Sequence, residues 1–279
     1  MNLQLSRLSS EQNQHLQASL SRLHRVAQHA RANHVRLLVD AEYTSINPAL
    51  SLLVAALAVR WNSPEEGGPW VWNTYQAYLK GTHRRLERDA EAAHRAGLAF
   101  GVKLVRGAYL DKERAVTQLQ GKEDCTQPDY EATSQRGTQE ITGEGDSSEE
   151  PVPTEQSYNS CLELMLRCVS NHGPPCRLMV ASHNEESVRQ ATKRMWELGI
   201  PLDGPVCFGQ LLGMCDHVSL ALGQAGYMVY KSIPYGCLEE VIPYLIRRAQ
   251  ENRGVLQGAR REQALLSQEL WRRLLGRRT

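Results

Sequence analysis

Arg177-Leu-Met-Val-Ala-Ser-His-Asn-Glu-Glu186 holds the pattern that decides the fold. A short apolar run, Arg177 to Ala181, ends in three residues able to do chemistry, Ser182, His183 and Asn184. After Asn184 two acids follow, placed to favour a helix N-terminus, and Gly199 ends that helix near Leu198. The unit reads as strand, polar turn, helix. Five more runs repeat it: Arg36 to Asp40, Trp70 to Asn73, Ala99 to Leu104, Val206 to Gln210 and Met228 to Ile233. Strands alternating with helical segments predict a parallel sheet joined by crossover helices, an α/β fold. Asn47 followed by Pro48 reads as another N-cap with Pro in the first turn. Leu16, Leu20, Leu23 and Val26 predict an amphipathic helix over about 12–33, in preference to an Arg-rich transit peptide.

Composition narrows the function. The 32 basic and 31 acidic residues leave a formal charge of +1, no electrostatic footprint for nucleic acid. At 41% hydrophobic, the chain can build a core. No apolar run reaches the roughly 18 residues of a membrane span. The seven cysteines include no C-x-x-C pair and read as core thiols, with neither zinc nor a disulfide framework indicated. Ser134 to Gln156, with six acids, three Gly, two Pro and almost nothing apolar, reads as a disordered acidic insert. No Gly-rich phosphate loop and no G-x-S-x-G elbow is present.

Each apolar run ends in a polar cluster: Asp40 and Glu42; Asn73, Tyr75 and Gln76; Arg106 and Tyr109; Ser182, His183 and Asn184; Gln210; Ser232 and Tyr235. In parallel α/β architectures ligands bind at that edge of the sheet, and in barrels these edges share one rim. Asp40 and Glu42 share a strand face by its two-residue period, for a site or for a structural ion pair. Lys103, inside a strand, requires an anionic partner, either a phosphate-bearing cofactor or a neighbouring carboxylate. His183 has no further ligand at metal spacing. Tyr244, Arg247, Arg248 and Glu251 fall on one helix face, where paired guanidinium forks suit a carboxylate or phosphate. An ordinary solvated face is the alternative.

Together the runs Leu38-Val-Asp-Ala-Glu42, Asn73-Thr-Tyr-Gln76, Lys103-Leu-Val-Arg-Gly-Ala-Tyr109, Ala181-Ser-His-Asn184, Phe208-Gly-Gln-Leu-Leu-Gly-Met214 and Tyr244-Leu-Ile-Arg-Arg248 resemble, in order, the proline dehydrogenase family. The resemblance covers nearly all of residues 1–279 apart from the acidic insert, and implies a distorted (β/α)₈ barrel of the TIM type. It further implies FAD across the C-terminal rim, oxidation of a cyclic imino acid to a pyrroline carboxylate, and electrons passed to ubiquinone. A mitochondrial location and peripheral contact with the inner membrane follow from the same resemblance. Arg247 and Arg248 would clamp the substrate carboxylate, Tyr244 and Leu211 would line the pocket, and Asp40 would orient an Arg or Lys. Asn73, Lys103, Arg106, His183, Asn184 and Glu251 match cofactor-contacting positions, and no metal is implied.

Two departures stand out. Ser232 occupies a position where proline-oxidising members carry Tyr, which implies the hydroxyproline-oxidising branch: trans-4-hydroxy-L-proline preferred, proline weaker. The first strand matches the family's third, leaving about six of eight strands and no counterpart of a Lys on an earlier strand. A barrel short of strands would expose two sheet edges and an apolar interior. The expectation is therefore an incomplete barrel, a truncated form or isoform that is poorly stable alone. It would be weakly active or inactive, with at most a binding or competing role.

Overall fold

Every apolar run becomes a strand of one parallel sheet. A computed structural model describes residues 8–107, 109–121, 123–127, 154–251 and 256–275. In chain order the elements are α1 (Ser10–Ala32), β1 (Leu37–Val39), α2 (Asn47–Trp61), β2 (Val71–Gln76), α3 (Thr82–Arg95), β3 (Phe100–Val105) and α4 (Leu110–Leu119). They continue with α5 (Thr154–His172), β4 (Cys176–Ala181), α6 (Glu185–Glu197), β5 (Val206–Leu211), α7 (Asp216–Gln224), β6 (Val229–Ser232), α8 (Leu238–Glu251) and α9 (Leu256–Leu274). The six strands lie in sequential order, each parallel to the next, and curl into an open half-barrel with helices on its convex side. This is the incomplete (β/α)₈ architecture expected. Among the described residues β1 and β6 are unpaired edges.

The two-residue strand period sorts side chains between two faces. Tyr75, Val102, Leu104, Leu178, Val180, Val206 and Phe208 turn outward into the main core with Leu86 of α3 and one stripe of α5. That stripe, Tyr158, Cys161, Leu162, Met165, Leu166 and Val169, recurs every three or four residues and is fully buried. Burial of each large apolar side chain contributes about 1.5–3 kcal/mol. A second core packs Ala27 of α1 and Val54, Leu57 and Trp61 of α2 against Val71, with Leu37 and Val39 beside it.

Helix α1 starts at a reciprocal capping box between Ser9 and Gln12. Leu20 and Leu23 face inward as expected, but Val26 is 51% exposed. It lies about 100° from Ala27 around the helix, and the alanines allow the close approach to α2 instead. Asn47 is not the N-cap of α2. It is the first helical residue, buried, accepting from the Glu42 N–H and donating to Gln76 Oε1, both at 2.7 Å. Helix α6 begins at the paired acids and ends before Gly199 as expected, and Asn184 is its N-cap. Asn184 Oδ1 accepts from Ser187 N–H, and Gly199 (φ 65) and Ile200 return N–H bonds to Trp196 and Met195. Asn184→Ala is expected to cost about 1 kcal/mol in urea unfolding, with Asn184→Asp near neutral. Equal losses in both would refute a capping role.

The acidic insert at 134–153 lies outside the described residues. Its expected C-terminal boundary is corrected, because Thr154 to Gln156 already belong to α5. Glu155 and Gln156 are good helix formers. Cys161, Cys176, Cys207 and Cys215 are buried thiols, whereas Cys237 is exposed. No helix among the described residues is long and apolar enough to cross a membrane.

Candidate active site

The concave face and the C-terminal strand ends carry the chemistry. Strand register places Trp72, Thr74 and Gln76 of β2, Lys103 and Val105 of β3, Met179 and Ala181 of β4, and Leu211 of β5 on the concave side. This face is less apolar than expected, since Lys103 and Arg177 belong to it. Lys103 Nζ lies 2.6 Å from Asp40 Oδ1, across β2. Lys103 is 24% and Asp40 70% exposed, so the aspartate reaches from the rim to a partly sheltered ammonium. The anionic partner that Lys103 required is thus a carboxylate two strands away, and the cation that Asp40 holds is Lys103.

Asp40 and Glu42 do not share a strand face, because β1 stops at Val39 and residues 40–43 leave the two-residue period. Glu42 Oε2 instead accepts from the Tyr109 hydroxyl at 2.9 Å, and the Tyr109 ring packs on Tyr43 at 4.4 Å. Asn73 is not brought to the concave face. It pairs with Val39 and Val102 on the helix-facing side and borders a groove between α2 and α3. Tyr75 is likewise turned outward and donates to Asp89 Oδ2 at 2.9 Å. Burial, then Asp89, pushes its phenol far above the ordinary range. Thr74 and Gln76 are the inward polar residues of this strand. Strand alternation from the apolar Val71 was the signal that could have singled out Gln76. Gln210 also turns outward, bonded to Ser219 of α7.

Beyond β3 and β4, Arg106 Nη2 donates to Ser187 Oγ at 2.7 Å and its guanidinium lies over the Tyr158 ring at 4.9 Å. It therefore sits at the N-terminus of α6, where the guanidinium and the helix dipole both favour an anion. His183 Nε2 accepts from the Leu211 N–H at 3.0 Å, which leaves the ring proton on Nδ1. This bond ties the β4 exit to the rim of β5. Leu211 and Ser232 are register partners at the ends of β5 and β6, with Ser232 exposed. On α8, the Arg248 guanidinium lies 5.1 Å from the Tyr244 ring centroid, a cation–π contact one turn apart. Arg247 and Glu251 are α8 positions whose side chains lie outside the described set.

The sequence model of the proline dehydrogenase family matches residues 2–136 and 149–261. The chain is 87% identical over 276 residues to a Mus musculus protein named Hydroxyproline dehydrogenase, covering 99% of this chain and 56% of that protein. It is 44% identical over 271 residues to the Homo sapiens protein named Proline dehydrogenase 1, mitochondrial, covering 97% of this chain and 41% of that one. The chain thus spans about half the length of the curated relatives it matches. The crystal structure of proline utilization A (PutA) from Bdellovibrio bacteriovorus, inactivated by N-propargylglycine, superposes with a TM-score of 0.68 at 24% identity. That match covers 85% of this chain and 22% of the PutA chain, and it shows the fold.

Proposed function

This chain belongs to the proline dehydrogenase family, and from that premise we propose that it carries most of the site of an FAD-dependent dehydrogenase of trans-4-hydroxy-L-proline. Proline is the weaker substrate, and ubiquinone takes the electrons. The observation that carries the reading is the 87% identity to the mouse protein named Hydroxyproline dehydrogenase. A mitochondrial location, with peripheral contact to the inner membrane where quinone resides, accompanies it.

The donor set fits a flavin dinucleotide. Arg106 at the start of α6 suits a pyrophosphate, Lys103 and His183 offer further donors, and Gly209 leaves the sheet bare near Met179. Of the expected cofactor contacts, Lys103, Arg106 and His183 are the ones we propose to hold it. Asn184 acts through the helix it caps, Glu251 stays a proposal from the resemblance, and Gln76 replaces the outward-turned Asn73. FAD, when bound, supplies the two-electron oxidation. Arg247 and Arg248 hold the substrate carboxylate by paired N–H bonds, which fixes the ring and its reacting C–H. Tyr244 and Leu211 line the ring, and Asp40 fixes the Lys103 ammonium. The substrate loses a hydride from carbon and a proton from nitrogen, and becomes the pyrroline carboxylate.

Ser232 sets the preference. A seryl side chain leaves space and a hydrogen-bonding oxygen for a ring hydroxyl, whereas tyrosine would fill that space. Ser232→Tyr, in flavin-loaded enzyme, is expected to shift the kcat/KM ratio towards proline by about 10-fold or more. An unchanged or reversed ratio would remove Ser232 from the specificity argument.

One observation favours a second reading, in which the chain alone has a binding or competing role without turnover. Among the described residues the sheet has two unpaired edges and an open concave face. Purifying the chain with added FAD and assaying both imino acids with a quinone analogue separates the two. Bound flavin with turnover supports the dehydrogenase, and neither flavin nor turnover supports the second reading.

A further inference from the structure

Arg36 immediately precedes β1, and Arg177 is the second residue of β4. Leu178 points outward into the main core, so alternation turns Arg177 to the concave side, and Arg36, beside the outward Leu37, acts with Arg177 on the same concave-side Cys207. Between them in the sheet, Gly101 carries no side chain and Trp72 lies over it. The Nε atoms of Arg36 and Arg177 are shielded from solvent and have no hydrogen-bond partner. Among the described residues neither arginine joins an ion pair or any hydrogen bond of its side chain.

Burial, and next the charge of Arg36, holds the Arg177 guanidinium below its ordinary range. Cys207 of β5 lies close to both arginines, yet burial pushes its thiol up to about 12, so it is no counter-ion. Two half-buried guanidinium groups close enough for their charges to oppose each other are unfavourable without an anion. Lys103, on the same face, shows the contrasting outcome with Asp40 as its partner.

We propose that Arg36 and Arg177 form an oxyanion-binding floor at the N-terminal end of the half-barrel. Its occupant is a carboxylate or a phosphate, whose paired oxygens match the guanidinium forks. The source is either an acidic side chain from sequence that the longer relatives carry beyond this chain's span, or free phosphate. The floor lies at the opposite strand ends from the rim site and does not depend on the proposed activity.

The test compares the thermal midpoint of the chain in chloride and in inorganic phosphate at equal ionic strength. At a hundredfold excess over Kd, phosphate is expected to raise the midpoint by about 5 °C or more, saturably. The Arg36→Gln/Arg177→Gln variant is expected to show no rise, and in chloride to be at least as stable as the parent. No phosphate response in the parent, or the same rise in the variant, would overturn the proposal. Should the double variant fail to fold, calorimetric titration of phosphate into Arg177→Lys decides. A tenfold or greater loss of affinity supports the fork, and unchanged affinity overturns it. The mouse relative separates the sources: a lost response assigns its own carboxylate to the floor, and a retained one assigns free phosphate.

Discussion

Gly107→Ala is expected to lose about 4 kcal/mol or more of unfolding free energy, read as a fall in urea midpoint at unchanged m-value. Gly107 has φ 124, a backbone region that side chains rarely adopt. A β-carbon there would lie 1.6 Å from Cδ1 of Tyr78. The ring cannot step aside. Tyr78 is 1% exposed, and its backbone is fixed by bonds from its N–H to Arg106 O and from the Gln127 N–H to its own carbonyl. Overpacking and backbone strain therefore act together, each separately costing about 1–3 kcal/mol. Gly97→Ala supplies the comparison, since its φ of 66 is also positive but nothing lies within 4 Å of the added carbon. It is expected to lose only about 1 kcal/mol. If the two variants lose the same amount, packing on Tyr78 is not what requires glycine in the Lys103-to-Tyr109 run.

That run shows what the sequence could and could not convey. Its residues suffice to identify the family, but the reason for its glycine is a ring from another strand end, unknowable until the fold brings Tyr78 alongside. Strands were legible because each convex-facing run is apolar and bounded by polar turns. Strand faces were harder to assign. Asn73 and Gln76 are both polar and lie near the same strand end, and only register with Lys103 shows that Gln76 shares its side. Asp40 and Glu42 depart from the expected shared face for a related reason, since the two-residue period holds only while the strand lasts and β1 ends at Val39. Asn47 followed by Pro48 carried a cap signature, yet the amide side chain was drawn into a bond with Gln76. Asn184, with no such competing partner, caps α6. In the sequence Arg36 and Arg177 look like ordinary charged strand boundaries. That their charges oppose each other follows from the fold.

Arg248→Lys is expected to lower kcat/KM for trans-4-hydroxy-L-proline by about 100-fold in flavin-loaded enzyme, corresponding to loss of a charge-assisted bidentate contact of about 2–3 kcal/mol. Lysine keeps the charge, so the loss reports the fork itself. Arg248 also lies over the Tyr244 ring, and a lysine ammonium would leave much of that stacking behind. In the proposed clamp the carboxylate is held both before and during oxidation, so most of the loss is expected in KM, with a smaller fall in kcat from poorer ring placement. Pyrrolidine, which has the ring and amine but no carboxylate, separates this from a general disturbance of α8. Its slow oxidation should be nearly the same in parent and variant. Equal losses on both substrates would mean that Arg248 supports the helix and not the substrate. Arg247→Lys is expected to behave in the same way. Replacing both should cost less than the sum of the single losses, because either substitution alone already breaks the paired hold that fixes the ring.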